Sequence, residues 1–211
     1  MHVRKLVFGL VSCLATAAVL YGATPPDAYQ VAYQANLTPG LIDFSHVNIT
    51  NVGNFGTSTT IGGHDANDSI CANLYVFDPA QELIDCCTCL LTPNDLQTIS
   101  ASQLTAAGIT GIPPSAITVG LLASQPVAGA CDATAVTTAS LVTGMRAWAT
   151  VVHHNPTLTG YDLTEIPFTD SPLGAAELVK MTTYCAYIEA DGSLSGICKS
   201  CASGAAGAEK Q

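Results

Sequence analysis

The most regular stretch of the chain is ICANLYVF, Ile70 to Phe77, apolar on both alternating faces. That pattern predicts a central strand covered on both sides. Val47-Asn48-Ile49-Thr50 alternates apolar with polar and predicts a half-buried strand, closed by turn residues at Gly53-Asn54-Phe55-Gly56. Further strands are predicted over Leu96–Ser102, Ile117–Ser124, Gly144–Val152 and Tyr161–Phe168, with loops at Gly111–Pro114 and His153–Gly160. Side chains alternate along a strand, so Arg146, Trp148, Thr150 and Val152 share one face. Residues 24–45, with Pro25, Pro26, Pro39 and Gly40, read as an extended or loop-like lead-in, and Thr57–Ser69 as a polar, glycine-rich loop.

Two segments carry helix signals. Asp78-Pro79-Ala80-Gln81 has the capping residue, the first-turn proline and the return glutamine of a helix start, so a short helix is expected near 79–87, with the cysteines of LIDCCTCLL at its end. Thr92-Pro93-Asn94-Asp95 is a turn or a second cap. Leu178, Met181, Cys185 and Ile188 recur at helical spacing between Ser171-Pro172 and Gly192, which predicts a long helix near 172–190. Sequential strands with little α/β alternation then define the fold class: mainly β, an antiparallel β-sandwich-like single domain, disulfide-stapled, with those two helices.

The first residues change the compartment. MHVRK followed by LVFGLVSCLATAAVLYGA is a cationic segment before an apolar run of signal-peptide length, so residues 1–23 are expected to be a cleaved leader, with the mature start between Ala18 and Thr24. Leu10-Val11-Ser12-Cys13 also fits a lipoprotein box, although the apolar run continues past it. After residue 23 no segment reaches the ~18 apolar residues needed to span a bilayer. The remaining chain divides into the lead-in 24–45, a β-rich domain 46–201 and a tail 202–211.

Charge is scarce, 10% against ~25% in an ordinary domain, and acidic. Without the leader, Arg146, Lys180, Lys199 and Lys210 face sixteen carboxylates, four against sixteen, a net −12. Nucleic-acid binding needs lysines and arginines clustered against phosphates, which four scattered residues cannot provide.

Of nine cysteines, Cys13 leaves with the leader. The other eight, Cys71, Cys86, Cys87, Cys89, Cys131, Cys185, Cys198 and Cys201, are an even set suited to disulfides after export. A bridge prefers Cα atoms ~5.5–6 Å apart, so Cys86, Cys87 and Cys89 should reach outward rather than bond one another. Spacing does not reveal which partner each finds. The competing readings are a zinc site of Cys87, Cys89, Cys198 and Cys201, and a redox pair at Cys198–Cys201 in a Gly/Ser-rich tail.

The YVFD strand and its cysteine cluster carry a resemblance. Cys71-Ala-Asn-Leu-Tyr-Val-Phe-Asp-Pro-Ala-Gln-Glu-Leu, then Cys86-Cys87-Thr-Cys89, and later Ser171-Pro172-Leu-Gly-Ala-Ala-Glu177-Leu with Cys185, resembles a group of exported cysteine-rich proteins of acidobacterial-type soil bacteria. The group has no known activity. The resemblance implies bacterial export and a shared disulfide framework, and no catalytic residue transfers from it. Where that group has proline after the third cysteine, this chain has Leu90.

Candidate chemistry is sparse. His153-His154 are adjacent and point oppositely if extended. Asp65, Asn67 and Asp68 could offer oxygens to calcium, but Ile70 and Val76 stand where an EF-hand loop needs Gly and Glu. Asp78, Glu82 and Asp85 would share a face of the short helix. Arg146 is expected to pair with a carboxylate such as Glu165 or Glu177, or to stack on a ring. Asn36, Asn48 and Asn67 head glycosylation triplets that matter only in a eukaryote. No nucleophile elbow, zinc-protease, phosphate-loop or dinucleotide motif is present. The sequence therefore leads to a non-enzymatic exported structural, adhesive or binding module, without a cofactor, that self-assembles or meets a cell-surface or matrix partner. The alternative is a secreted hydrolase acting on polysaccharide through Asp78, Glu82, Asp85 or Asp170. A third reading is metal storage or sensing through thiols.

Overall fold

The computed structural model describes residues 24–37, 39–53, 68–106, 113–155, 160–191 and 201. In chain order these form β1 (Tyr29–Gln34), β2 (His46–Asn51), β3 (Ile70–Phe77), β4 (Leu83–Leu91), β5 (Leu96–Ser100), α1 (Ala101–Ala106), β6 (Ile117–Ser124), β7 (Met145–His154), β8 (Tyr161–Pro167), β9 (Thr169–Asp170) and α2 (Ala175–Asp191). The strands pair antiparallel in two sheets, ordered β4-β3-β6-β1-β9 and β5-β2-β7-β8. The expected mainly β, disulfide-stapled sandwich with a long C-terminal helix is the observed architecture.

Strand periodicity builds the core. Val47 and Ile49 of β2, Met145, Ala149 and Val151 of β7, and Ile70, Leu74 and Val76 of β3 meet between the sheets. Each large side chain buried there contributes ~1.5–3 kcal/mol of transfer free energy. Cys71, Asn73 and Tyr75 occupy the other face of β3, which is buried as well. That is why ICANLYVF is apolar on both sides: α2 and the segment after β6 form a third layer over the first sheet. Leu178, Met181, Cys185 and Ile188 of α2 join Tyr75, Leu122, Val136 and Leu141 in this second cluster. Two donors beneath the cover are matched, Tyr75 Oη donating to the Ala133 carbonyl at 2.5 Å and Asn73 Nδ2 to the Leu122 carbonyl at 2.9 Å.

Three expectations need correction. Residues 79–87 form no helix: Pro79, Ala80 and Gln81 are the loop of a hairpin, and β4 begins at Leu83. Gln81 has φ +64°, the left-handed conformation that follows a tight turn in three-residue hairpin loops. Its N–H donates to the Asp78 carbonyl at 2.9 Å, while Asp78 N–H donates to the Glu82 carbonyl at 3.0 Å. Asp78 does cap, with Oδ1 accepting the Glu82 N–H at 2.9 Å, but it caps a turn. The 24–45 lead-in contains β1, hydrogen-bonded between β6 and β9. Finally, the strand read over Leu96–Ser102 stops at Ser100, whose hydroxyl accepts the Gln103 N–H at 3.3 Å and opens α1. The predicted leader, most of the loop over 57–69, and the tail lie outside the described residues.

Candidate functional site

Because β4 is a strand, its cysteines divide between two faces. Cys86 points to the helix layer, whereas Cys87 and Cys89 point between the sheets. Cys86 bonds Cys185 of α2 with Cα atoms 5.8 Å apart, Cys71 bonds Cys131 at 5.5 Å, and Cys89 bonds Cys201 at 4.9 Å. Cys87 is also disulfide-bonded. Cys198 lies outside the described residues. Two of the four thiolates a zinc site would use, Cys89 and Cys201, are thus bonded to each other. All three mapped bridges start on β3 or β4 and tie a different covering segment to that hairpin.

The other candidates are scattered. Asp65 and Asn67 lie outside the described residues, and Asp68 is buried, its carbonyl accepting Asn51 Nδ2 at 2.8 Å. His153 Nε2 meets Thr164 Oγ1 at 2.9 Å, while the His154 ring stands edge-on to Tyr161. Among the described residues no group of three His, Cys, Asp or Glu side chains is placed to hold a metal. Of the carboxylates, Asp78 sits in the hairpin loop, Glu82 is exposed, Asp85 is enclosed in the core and Asp170 is exposed on β9. The shared helix face expected for the first three does not exist. Arg146 is ion-paired, as expected, but with Asp27. Glu165 accepts instead from Thr150 at 2.8 Å, and Glu177 from Tyr29 at 3.0 Å.

One cleft of about 350 Å³ lies where the N-terminal half of α2 crosses the first sheet. Tyr29, Phe77 and Met181 give it an apolar floor; Asp78, Glu177 and Lys180 give it a charged rim. Glu177, Lys180 and Met181 reach it together because helix positions three and four apart share a face. Gly120 of β6 also lines it, and a Cβ there would meet the Tyr29 ring at 3.4 Å, so the missing side chain leaves the floor open. Burial first, then the negative charge and hydrogen bond of Glu177, hold the Tyr29 hydroxyl protonated far above the usual tyrosine range. Tyr29 therefore serves as a fixed donor that orients Glu177. No local pattern assembles this site, because its residues come from five separate segments; the sequence singles out Asp78 as a cap and candidate carboxylate and Glu177 as a partner for Arg146, without bringing them together.

The second sheet carries no helix on its outer face among the described residues. Thr98, Asn48 and Thr150 form a hydrogen-bonded ladder there, Thr98 Oγ1 donating to Asn48 Oδ1 at 2.9 Å and Thr150 Oγ1 to Glu165 Oε1 at 2.8 Å. Trp148 stands half-buried beside Asn48 in that face. At the sheet's edge, β8 exposes Tyr161 and Leu163, 66% and 69% accessible.

Compared with protein-family models, curated protein sequences and solved structures, the chain matches none. The resemblance to exported soil-bacterial proteins rests on the motif residues alone. No helix among the described residues is long and apolar enough to cross a membrane. The bridges fit an oxidising compartment.

Proposed function

We propose that the chain is an exported, non-enzymatic binding or structural module, of bacterial origin, whose disulfides brace a sandwich that presents one small cleft. The observation that carries this reading is that no two of the four carboxylates singled out by the sequence converge in the cleft. A glycosidase needs two carboxyl groups ~5–10 Å apart across a substrate; of Asp78, Glu82, Asp85 and Asp170 only Asp78 reaches the cleft, and the second carboxylate on its rim, Glu177, is engaged by the Tyr29 hydroxyl at 3.0 Å. The bridges support the bracing role, since each fixes a covering segment without a reactive thiol. Incubating the oxidised mature protein with a polysaccharide panel and measuring reducing ends tests it. The expected result is no turnover; turnover that Asp78→Asn, Glu177→Gln or Asp170→Asn removes would establish the hydrolase.

A structural role by self-assembly has its own support in β8. That edge strand is unpaired on one side among the described residues, with exposed Tyr161 and Leu163 on its outer face. Size-exclusion chromatography and negative-stain imaging distinguish the two forms. Concentration-dependent assemblies favour the structural subunit, and a monodisperse monomer at high concentration leaves the binding module.

A further inference from the structure

We propose that the cleft between α2 and the first sheet binds a small organic ammonium ion. This deepens the binding-module reading and rests on it. The volume, about 350 Å³, falls at the lower end of small-molecule sites, ~300–1,000 Å³. Its floor is made of groups that attract cations: the Tyr29 and Phe77 rings through their negative faces, and the polarisable Met181 thioether. Its rim carries two carboxylates from independent elements, Asp78 from the β3–β4 hairpin and Glu177 from the first turn of α2. Glu177 is held in place by the Tyr29 hydroxyl, 3.0 Å away, so its charge does not have to be reoriented when a ligand arrives.

The rim's one cation does not cancel this pair. Lys180 Nζ stands 5.6 Å from the centroid of the Tyr184 ring, four residues along the exposed helix. Arg146, the other described base, is occupied by Asp27. The chain as a whole has a formal charge of −10, so its field draws cations and repels anions. A neutral sugar could use the aromatic floor and donate its hydroxyls to the carboxylates, but it would gain nothing from their net charge.

The test is an isothermal titration of the oxidised full chain with benzyltrimethylammonium chloride, alongside benzyl alcohol, benzenesulfonate and methyl glucoside. Saturable binding of the ammonium probe alone is expected, with amide shifts confined to residues 77–82 and 177–181 and no change in Trp148 emission, since Trp148 lies on the other sheet. Glu177→Gln should weaken binding by about tenfold or more, the size of one lost charged contact. Lys180→Ala, on an exposed position, should tighten it about two- to threefold by removing an opposing charge. Equal or tighter binding of the neutral, anionic or sugar probe, unchanged affinity in a folded Glu177→Gln protein, or weaker binding in Lys180→Ala would each overturn the proposal. If no probe binds, the cleft assignment fails while the non-catalytic reading stands; that reading fails only on turnover.

Discussion

Replacing both cysteines of one bridge by alanine measures what each cross-link contributes. Cys71–Cys131 closes a loop with a sequence separation of 60, and no other mapped bridge offers a shorter path between its ends. The chain-entropy relation then gives a contribution of ~4 kcal/mol. Cys86–Cys185 spans 99 residues and would by itself contribute ~5 kcal/mol. However, Cys89–Cys201 already joins the neighbourhood of both ends. The path from Cys86 to Cys89, across that bridge and back from Cys201 to Cys185, is about 20 residues long, which reduces the remaining constraint to ~3 kcal/mol. All four sulfurs are buried, so the small void left by alanine is similar in both variants and largely cancels in their difference. Guanidinium unfolding of the two double variants, without reductant, is therefore expected to show Cys71→Ala/Cys131→Ala as the less stable by ~1 kcal/mol, despite its shorter nominal loop. For a domain of this size Cys86→Ala/Cys185→Ala should also melt ~6–12 °C below the parent. The reverse order, or a loss below ~1 kcal/mol in both, would refute the nested-loop reasoning.

Three further outcomes follow from single side chains. Tyr75→Phe removes the buried donor to the Ala133 carbonyl and should cost ~1–2 kcal/mol in the same assay, with loss near zero showing that water replaces the contact. Arg146→Ala breaks an ion pair whose side chains are 51% and 21% accessible, so its effect should stay below ~1 kcal/mol and shrink in 1 M salt; a larger, salt-insensitive loss would contradict a surface role. Burial, then the charge of Asp132, raise the Glu189 carboxyl above its ordinary range. The folded protein thus holds that proton more tightly than the unfolded chain, and this group's contribution to stability falls as pH rises through the carboxylate range. Glu189→Gln should be more stable than the parent at pH 7 and equal to it below about pH 4, and parity at pH 7 would remove the argument.

The strands legible in the sequence are those whose burial pattern is set within the strand itself. β3 showed because both faces are covered, β2 because Val47 and Ile49 alternate with polar neighbours, and α2 because Leu178, Met181, Cys185 and Ile188 mark its buried stripe. β4 was misread because an aspartate that caps a tight hairpin satisfies the same backbone N–H as one that caps a helix. Only the positive φ at Gln81 separates the two, and glutamine does not advertise it. β1 was hidden by its flanking prolines, although Tyr29 to Gln34 does alternate. The bridges could not be read because partner choice depends on which face of β4 each cysteine occupies, and that follows only once β4 is a strand. The cleft depends on crossing geometry between α2 and the sheet, which no local pattern encodes.

Peptide mapping of the unreduced protein after alkylation tests the braced sandwich most directly. Linked pairs Cys71–Cys131, Cys86–Cys185 and Cys89–Cys201 are expected, with Cys87 unlabelled until reductant is added. Native labelling of Cys86, Cys87 or Cys89, a bond among those three, or zinc released on thiol modification would contradict it.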